Sequence, residues 1–531
     1  MLSTSEKLPS RDRKDPQANE DTTSEIDSHY ISLRGRKLTT AVAVVAGTGF
    51  TLFGYDQGVM SALLTAGQFE KVFPEVVVEN AHPNHATLQS LLVAVYEVGC
   101  LIGALSNLWL GDRLGRRRTI ALGGIIMIIG AILQTTAFSF AHMIAARVVT
   151  GLGNGLNTST VPAYHSELSP ASSRGSFIMI EGSLITFGIM ISYWIDFALF
   201  WANTSSAQWR VPIAMQIVFA IVMIVGIGFL PESPRWLIKE GRYAEAVAVI
   251  SALDDKPVTD PGVRQMFHAI NEAVITEGAD KEGVSLRELF TGGNGQNFRR
   301  VCLGVVVQCF QQITGINLIT YYATVLFERL GLSDVKSRII AACNGTEYFM
   351  VSLITIFIIE RVGRRKLMIG GAIGQSLTMV LLAILGKVNT SAAQIVSAVL
   401  LFVFNSFFAL GWLGMTWLYP AEIVGLRMRG PANALSTASN WAFNFTIVMI
   451  VGPSFENIGY KTYIVFAALN AFLVPVVYIF FPETSGRSLE DMDVIFAIAH
   501  QEGVSPVAVS MRKDIPPAGS EEADRILSTH A

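Results

Sequence analysis

Charge is scarce in this chain: of 531 residues only 15% are Asp, Glu, Lys or Arg, and the net charge is −3. So small and balanced a charge offers no basic face for nucleic acid and no strongly charged docking surface. Cysteine is scarce too. The four present, at 100, 302, 309 and 343, form neither a disulfide framework nor metal-ligand spacing, so they read as packing residues, and no cofactor or metal is expected. The opening segment, 1–38, lacks the apolar core of a cleavable signal and reads as a disordered cytosolic tail. Gly151-Leu-Gly-Asn-Gly155 lacks the preceding strand and the Lys-Ser/Thr of a phosphate loop. Paired acids or a metal site of the kind a membrane enzyme needs are also missing, so no covalent chemistry is expected.

Apolar length is what the chain has. With 51% hydrophobic residues and a mean hydropathy of +0.45, its solvent is lipid. Stretches able to cross roughly 30 Å of hydrocarbon fall at about 39–62, 88–110, 119–138, 141–163, 176–199, 210–230, 301–325, 338–358, 368–386, 393–417, 433–453 and 462–481. Arg34, Arg36, Lys37, Arg113, Arg116 to Arg118, Arg361, Arg364 to Lys366, Arg427 and Arg429 then share one side, which the positive-inside rule makes cytosolic together with both termini. The fold class is therefore all-α and membrane-spanning, with six helices at 39–230, a cytosolic helical linker at 231–300, six more at 301–482 and a cytosolic tail at 483–531. Tyr243 to Ile250 and Val263 to Ile270 are amphipathic and predict short linker helices. The tail past about 487 is polar and proline-bearing and predicts no fixed fold.

The two halves repeat each other. Gly111-Asp-Arg-Leu-Gly-Arg-Arg-Arg118 is echoed by Glu360-Arg-Val-Gly-Arg-Arg-Lys366. Ser166-Glu-Leu-Ser-Pro with Arg174-Gly175 is echoed by Ala421-Glu-Ile-Val-Gly with Arg429-Gly430, and Pro231-Glu-Ser-Pro-Arg235 by Pro482-Glu-Thr-Ser-Gly-Arg487. Three echoes at about 250 residues describe a parallel repeat, two similar bundles with a path between them, and that points to transport. Arg113, Arg174, Arg235, Arg361 and Arg429 are candidate partners for Glu167, Glu232, Glu422 and Glu483 in a cytosolic network that holds the inside closed.

Polar residues inside the spans need a reason. Asp56, in Phe53-Gly-Tyr-Asp-Gln-Gly58, is expensive in lipid unless paired or wetted, and Arg147 in the fourth span is its natural partner. The pair is either a proton-coupling site or a structural ion pair. Glu181 reads as a hydrogen-bonding acid within its bundle. In the seventh span Gln308, Gln311 and Gln312 share a helical side, Gly315 allows a break, and Asn317, Tyr321 and Tyr322 follow. Neutral amides both donate and accept, as an uncharged polyhydroxyl solute requires, and Trp417, Asn440 and Asn444 extend the same surface; interhelical amide glue is the structural alternative.

These residues resemble the sugar porter family of the major facilitator superfamily, specifically fungal-type hexose transporters, over about 39–490. The resemblance rests on the loop motifs above, Pro231-Glu-Ser-Pro-Arg-Trp-Leu237 and Gln311-Gln-Ile-Thr-Gly-Ile-Asn317. It implies sugar contacts at Gln311, Gln312, Asn317, Trp417 and Asn444, an outer gate at Tyr321 and Tyr322, and a coupling pair at Asp56 and Arg147. Gly182 and Tyr348 stand where the family usually has amides, which leaves room for pentoses and polyols. The expected function is proton-coupled monosaccharide uptake by a monomer, most plainly at the plasma membrane, with an uncoupled facilitator or a transporter-derived sensor as alternatives.

Overall fold

The computed structural model describes residues 32–77, 84–169, 174–279, 288–293, 295–425, 429–487, 489–518 and 520–528. Arg427 falls outside them, as do most of the N-terminal tail and the side chains of Arg174 and Arg429. Every long element is a helix: α1 Gly35–Leu63, α2 His85–Leu114, α3 Arg116–Thr135, α4 Phe140–Glu167, α5 Arg174–Leu199, α6 Ala207–Phe229, α7 Asn297–Ile313, α8 Ile316–Arg329, α9 Asp334–Val362, α10 Arg364–Val388, α11 Ser391–Gly411, α12 Met415–Ile423, α13 Arg429–Ile458 and α14 Lys461–Phe480. The seventh crossing is α7 plus α8, broken at Gly315 in the left-handed region (φ +89°). The tenth is α11 plus α12.

Eleven of the described crossings are long and apolar enough to span a membrane on composition alone. The twelfth, α4, is more polar, because Arg147, Thr150, Asn154, Asn157 and Thr158 are all buried within its bundle. Large apolar side chains such as Trp109, Phe229 and Phe357 instead face outward, 67%, 80% and 75% exposed, as expected where the surroundings are lipid.

Packing follows the repeat. Between the halves α2 lies against α13 and α5 against α9, with α1 against α8, so the second crossing meets the eleventh as the fifth meets the eighth. Within the first half, α2 packs on α4 and α1 on α5 at backbone contact. A Cβ at Gly151 would lie 2.1 Å from the Tyr96 carbonyl oxygen, and one at Gly54 only 1.9 Å from that of Ile185. Glycine is what lets these helices cross so closely, and it sets the depth of Arg147 against α2.

The segment between the halves forms helices at Pro234–Lys239, Tyr243–Asp254 and Pro261–Ala279, which include the two amphipathic pieces. The C-terminal tail corrects the sequence reading. It folds into Leu489–Gln501, Pro506–Ser510 and Glu521–Ser528. Met492, Ile495, Phe496 and Ala499 are buried at helical spacing, and buried Arg300 at the start of α7 pairs with Asp493 and stacks 4.2 Å from the Phe496 ring. Averaged composition hid this short apolar stripe.

Candidate functional site

A central cavity opens between the halves, lined from the first half by Phe53, Gln57, Ile185 and Ile189 and from the second by Gln311, Gln312, Asn317, Tyr348, Trp417 and Asn440, among others. The amides on its wall form one chain of hydrogen bonds. Gln308 donates to the Thr416 carbonyl at 2.9 Å and accepts from Asn440 at 2.7 Å. Asn440 also reaches Gln311 at 3.0 Å, Gln312 donates to Gln311 at 3.2 Å, and Asn317 donates to Gln312 and, at 2.7 Å, to Asn444. Such a chain gives each of these amides at least one partner within the protein, yet can trade partners with a solute's hydroxyls.

The break at Gly315 brings Gln312 and Asn317, five residues apart, into contact. Gln308 and Asn444 stand behind the wall, and Tyr321 and Tyr322, also expected at the solute, lie beyond it. Trp417 is half-buried on the cavity, whereas Trp412 is fully buried in the core. Tyr348 does occupy the wall. Glu181 instead bonds buried His165 at 2.6 Å, away from the cavity. Gln57 is a liner that sequence reasoning missed, although it sits beside Asp56 in the same polar break of the first span.

Asp56 and Arg147 are both fully buried, with Nη1 to Oδ1 at 4.0 Å. The guanidinium donates to the Val93 carbonyl at 3.1 Å and lies 5.1 Å from the centre of the Tyr96 ring. Tyr96 and Gln216 stand beside Asp56, but neither reaches its oxygens in hydrogen-bonding geometry. A second buried acid, Glu97 on α2, also escaped sequence reasoning. It accepts from the Tyr321 hydroxyl across the interface between the halves. Its only signal was an acid within a crossing, masked by the length of the apolar run around it.

The hydrogen bonds seen between the halves all lie from mid-depth to the face opposite the basic loops. Tyr322 donates to Ser90 at 3.3 Å, the Thr324 amide to Ser61 at 3.2 Å, and Arg338 to the Ala62 and Thr65 carbonyls at 2.7 and 2.8 Å. Tyr193 reaches the Thr320 carbonyl at 2.5 Å. That face is closed.

On the basic face the same construction occurs twice. The Arg116 guanidinium forks onto Glu167 at 3.1 and 3.2 Å, and the Arg364 guanidinium onto Glu422 at 2.8 and 3.2 Å. Glu232 accepts the Arg116 and Arg117 backbone N–H groups, each at 3.1 Å, and Glu483 those of Arg364 and Arg365 at 2.9 and 3.2 Å. These carboxylates thus cap the first turns of α3 and α10, where N–H groups lack helical partners and the helix dipole favours negative charge. Gly115 and Gly363, at φ +80° and +93°, leave room for them, since a Cβ would meet the acids at 2.8 and 2.7 Å. Burial nevertheless outweighs these donors at Glu232 and holds its carboxyl above the usual glutamate range.

The arginines differ from those expected. Arg113 and Arg361 are exposed, while Arg116 and Arg364 turn inward, because a helix starting right after the glycine aims its first residue at the neighbouring acid. Arg235 sits half-buried at the start of the first linker helix. None of these forked pairs crosses between the halves among the described residues, so in this conformation the network braces each half separately.

Two repeated six-crossing halves around a polar cavity, closed at one face, define a membrane transporter of the major facilitator fold. The chain belongs to the family described as "Sugar (and other) transporter", whose profile matches residues 41–496. It is 42% identical over 490 residues to the sugar transporter STL1 of Saccharomyces cerevisiae, covering 91% of this chain and 85% of that one. To the MFS-type transporter oryC of Aspergillus oryzae it is 39% identical, covering 87% and 86%. The proton:xylose symporter XylE, solved with 6-bromo-6-deoxy-D-glucose, superposes with a TM-score of 0.72 at 24% identity, over 86% of this chain and 99% of that chain, a likeness of fold.

Proposed function

We propose that this chain carries a monosaccharide or related polyhydroxyl solute across the plasma membrane by alternating access, together with a proton. The basic face is then cytosolic, as are both termini, and the closed face is external. The halves 39–230 and 301–482 rock about the central cavity, with 231–300 lying beneath them as a linker. The observation that carries this reading is the chain of mutually bonded amides from Gln308 to Asn444. Its neutrality suits an uncharged solute, and Trp417 offers an apolar face to a ring. Gln311, Gln312, Asn317 and Asn440 would bind the solute directly, with Asn444 in support and Tyr321 and Tyr322 closing over it.

Proton coupling is favoured over a purely structural ion pair by the looseness of Asp56 and Arg147. A structural pair in a dry interior is stable only when its remaining polar atoms are satisfied. Here Arg147 approaches Asp56 only to 4.0 Å, and Tyr96 and Gln216 stand beside the carboxylate without reaching its oxygens in hydrogen-bonding geometry, which suits a carboxylate that exchanges its ion pair for a proton. Uptake of labelled glucose, xylose and a polyol by transporter-deficient cells, at acid and near-neutral external pH and with an uncoupler, tests the reading beside Asp56→Asn. Concentrative uptake abolished by the uncoupler and by the variant is expected. Equilibrative uptake indifferent to pH would make the chain a facilitator.

A further inference from the structure

Glu97 is fully buried and lies in one cluster with Asp56 and Arg147. Arg147 approaches Asp56 to 4.0 Å and anchors on the Val93 carbonyl, one turn before Glu97, so two carboxylates lie in the field of a single guanidinium. The other charged or titratable neighbours are few. Tyr321 and Tyr322 come from α8, Tyr55 from α1, and Tyr96 and Cys100 from α2 itself. The charged residues of α13, which packs on α2, are Arg429 and Glu456 at its two ends. With both acids ionised the cluster would hold one uncompensated negative charge in a buried site, which is strongly unfavourable. One proton removes it.

The hydrogen bonding says what that proton is tied to. Glu97 Oε1 accepts from Tyr321, while Oε2 is buried with no partner. Tyr321 stands next to Tyr322, whose backbone leaves the helix (φ −128°, ψ +20°) and whose hydroxyl meets Ser90, two turns along α2. The bond to Glu97 thus belongs to the closed arrangement of the external face. Moving α8 away from α2 would break that bond and open the carboxylate to the external side.

We propose that Glu97 is a second proton-carrying carboxylate, which takes a proton from external water and, by accepting Tyr321, ties that proton to closure of the external gate. This rests on the proton-coupled reading above. The proton enters on Oε2 from external water while the gate is open, Oε1 then accepts Tyr321 as the gate closes, and the proton leaves to cytosolic water after the inner side opens. Arg147 then needs to balance only one carboxylate at a time, so Asp56 and Glu97 alternate as its partner.

The test uses the purified full chain in proteoliposomes, with Glu97→Gln, Asp56→Asn and Tyr321→Phe. The solute is whichever of glucose, xylose or the polyol is taken up. A one-unit pH gradient sustains about tenfold accumulation per coupled proton. Glu97→Gln is expected to bring this ratio down to about one while solute exchange persists, and to remove one protonated-carboxyl band from the pH-difference infrared spectrum. Tyr321→Phe, which keeps every charge, is expected to displace the pH dependence of accumulation. The proposal is overturned if Glu97→Gln accumulates solute like the wild type and keeps every carboxyl band. It also falls, should that variant not fold, if Tyr321→Phe leaves the pH dependence untouched. Wild-type accumulation by Asp56→Asn would instead sink the coupling assigned to Asp56, a separate failure.

Discussion

Arg364→Ala is the substitution that most directly tests the construction of the basic face. The Arg364 side chain is 4% exposed and binds two acids, Glu422, 18% exposed, and Glu360, 57% exposed. The exposed pair is worth under about 1 kcal/mol after solvent screening. Removing the guanidinium from Glu422 is different, because it strands a largely buried carboxylate, a change worth up to about 3–5 kcal/mol when burial is complete. Thr484 still donates to Glu422 at 2.6 Å, which places the expected loss toward the lower end. Arg361→Ala, three residues before Arg364 and exposed, should change stability by no more than about 0.5 kcal/mol. Arg364→Lys keeps the charge without the fork and should fall between. Thermal unfolding of the three purified variants in one detergent at one scan rate gives the ranking, since membrane-protein unfolding is often irreversible. Equal losses for Arg364→Ala and Arg361→Ala would refute the reasoning.

Gly151→Ala forces a Cβ against the Tyr96 carbonyl and should cost about 1–3 kcal/mol, read as lower folded yield and melting temperature; an unchanged melting curve would mean that α2 and α4 are not in backbone contact. Asn317→Ala removes the link between Gln312 and Asn444 and should raise the KM for uptake roughly fivefold, about 1 kcal/mol, with surface expression as the control. The raised Glu232 carboxyl means the folded chain holds that proton more tightly than the unfolded one. Its stabilising contribution is therefore full below the ordinary glutamate value of 4.5 and is lost as pH rises through the raised folded value. Glu232→Gln should flatten the melting temperature across that window, and parallel pH profiles for the two proteins would contradict the assignment.

Much of the arrangement can be read from the residues alone. Twelve apolar stretches and the echo between Gly111 to Arg118 and Glu360 to Lys366 imply two six-helix halves, because lipid admits few ways to satisfy a backbone and a duplicated pattern folds into a duplicated shape. The amides of the seventh span declare themselves for the same reason. Gln308, Gln311 and Gln312 fall on one side of a helix and are out of place in hydrocarbon, so a polar surface must receive them. Asp56 and Arg147 are equally conspicuous.

What the sequence left open depends on how each helix is rotated and how closely it meets its neighbours. The inward turn of Arg116 and Arg364 rather than Arg113 and Arg361 follows from the left-handed glycines before them and from where Glu232 and Glu483 cap the helices. Gln57 reaches the cavity and Glu97 reaches Tyr321 only because α1 and α2 are rotated against the second half, a relation between segments more than 200 residues apart. The folded tail depends on Arg300 meeting Asp493 and Phe496, again a distant pairing. Sequence alone determined which segments enter the membrane and which chemical groups they carry, since transfer into lipid is a property of each segment by itself. Tertiary structure alone decided which of those groups touch, because helix rotation and the closed face are fixed by contacts between halves that no single segment contains.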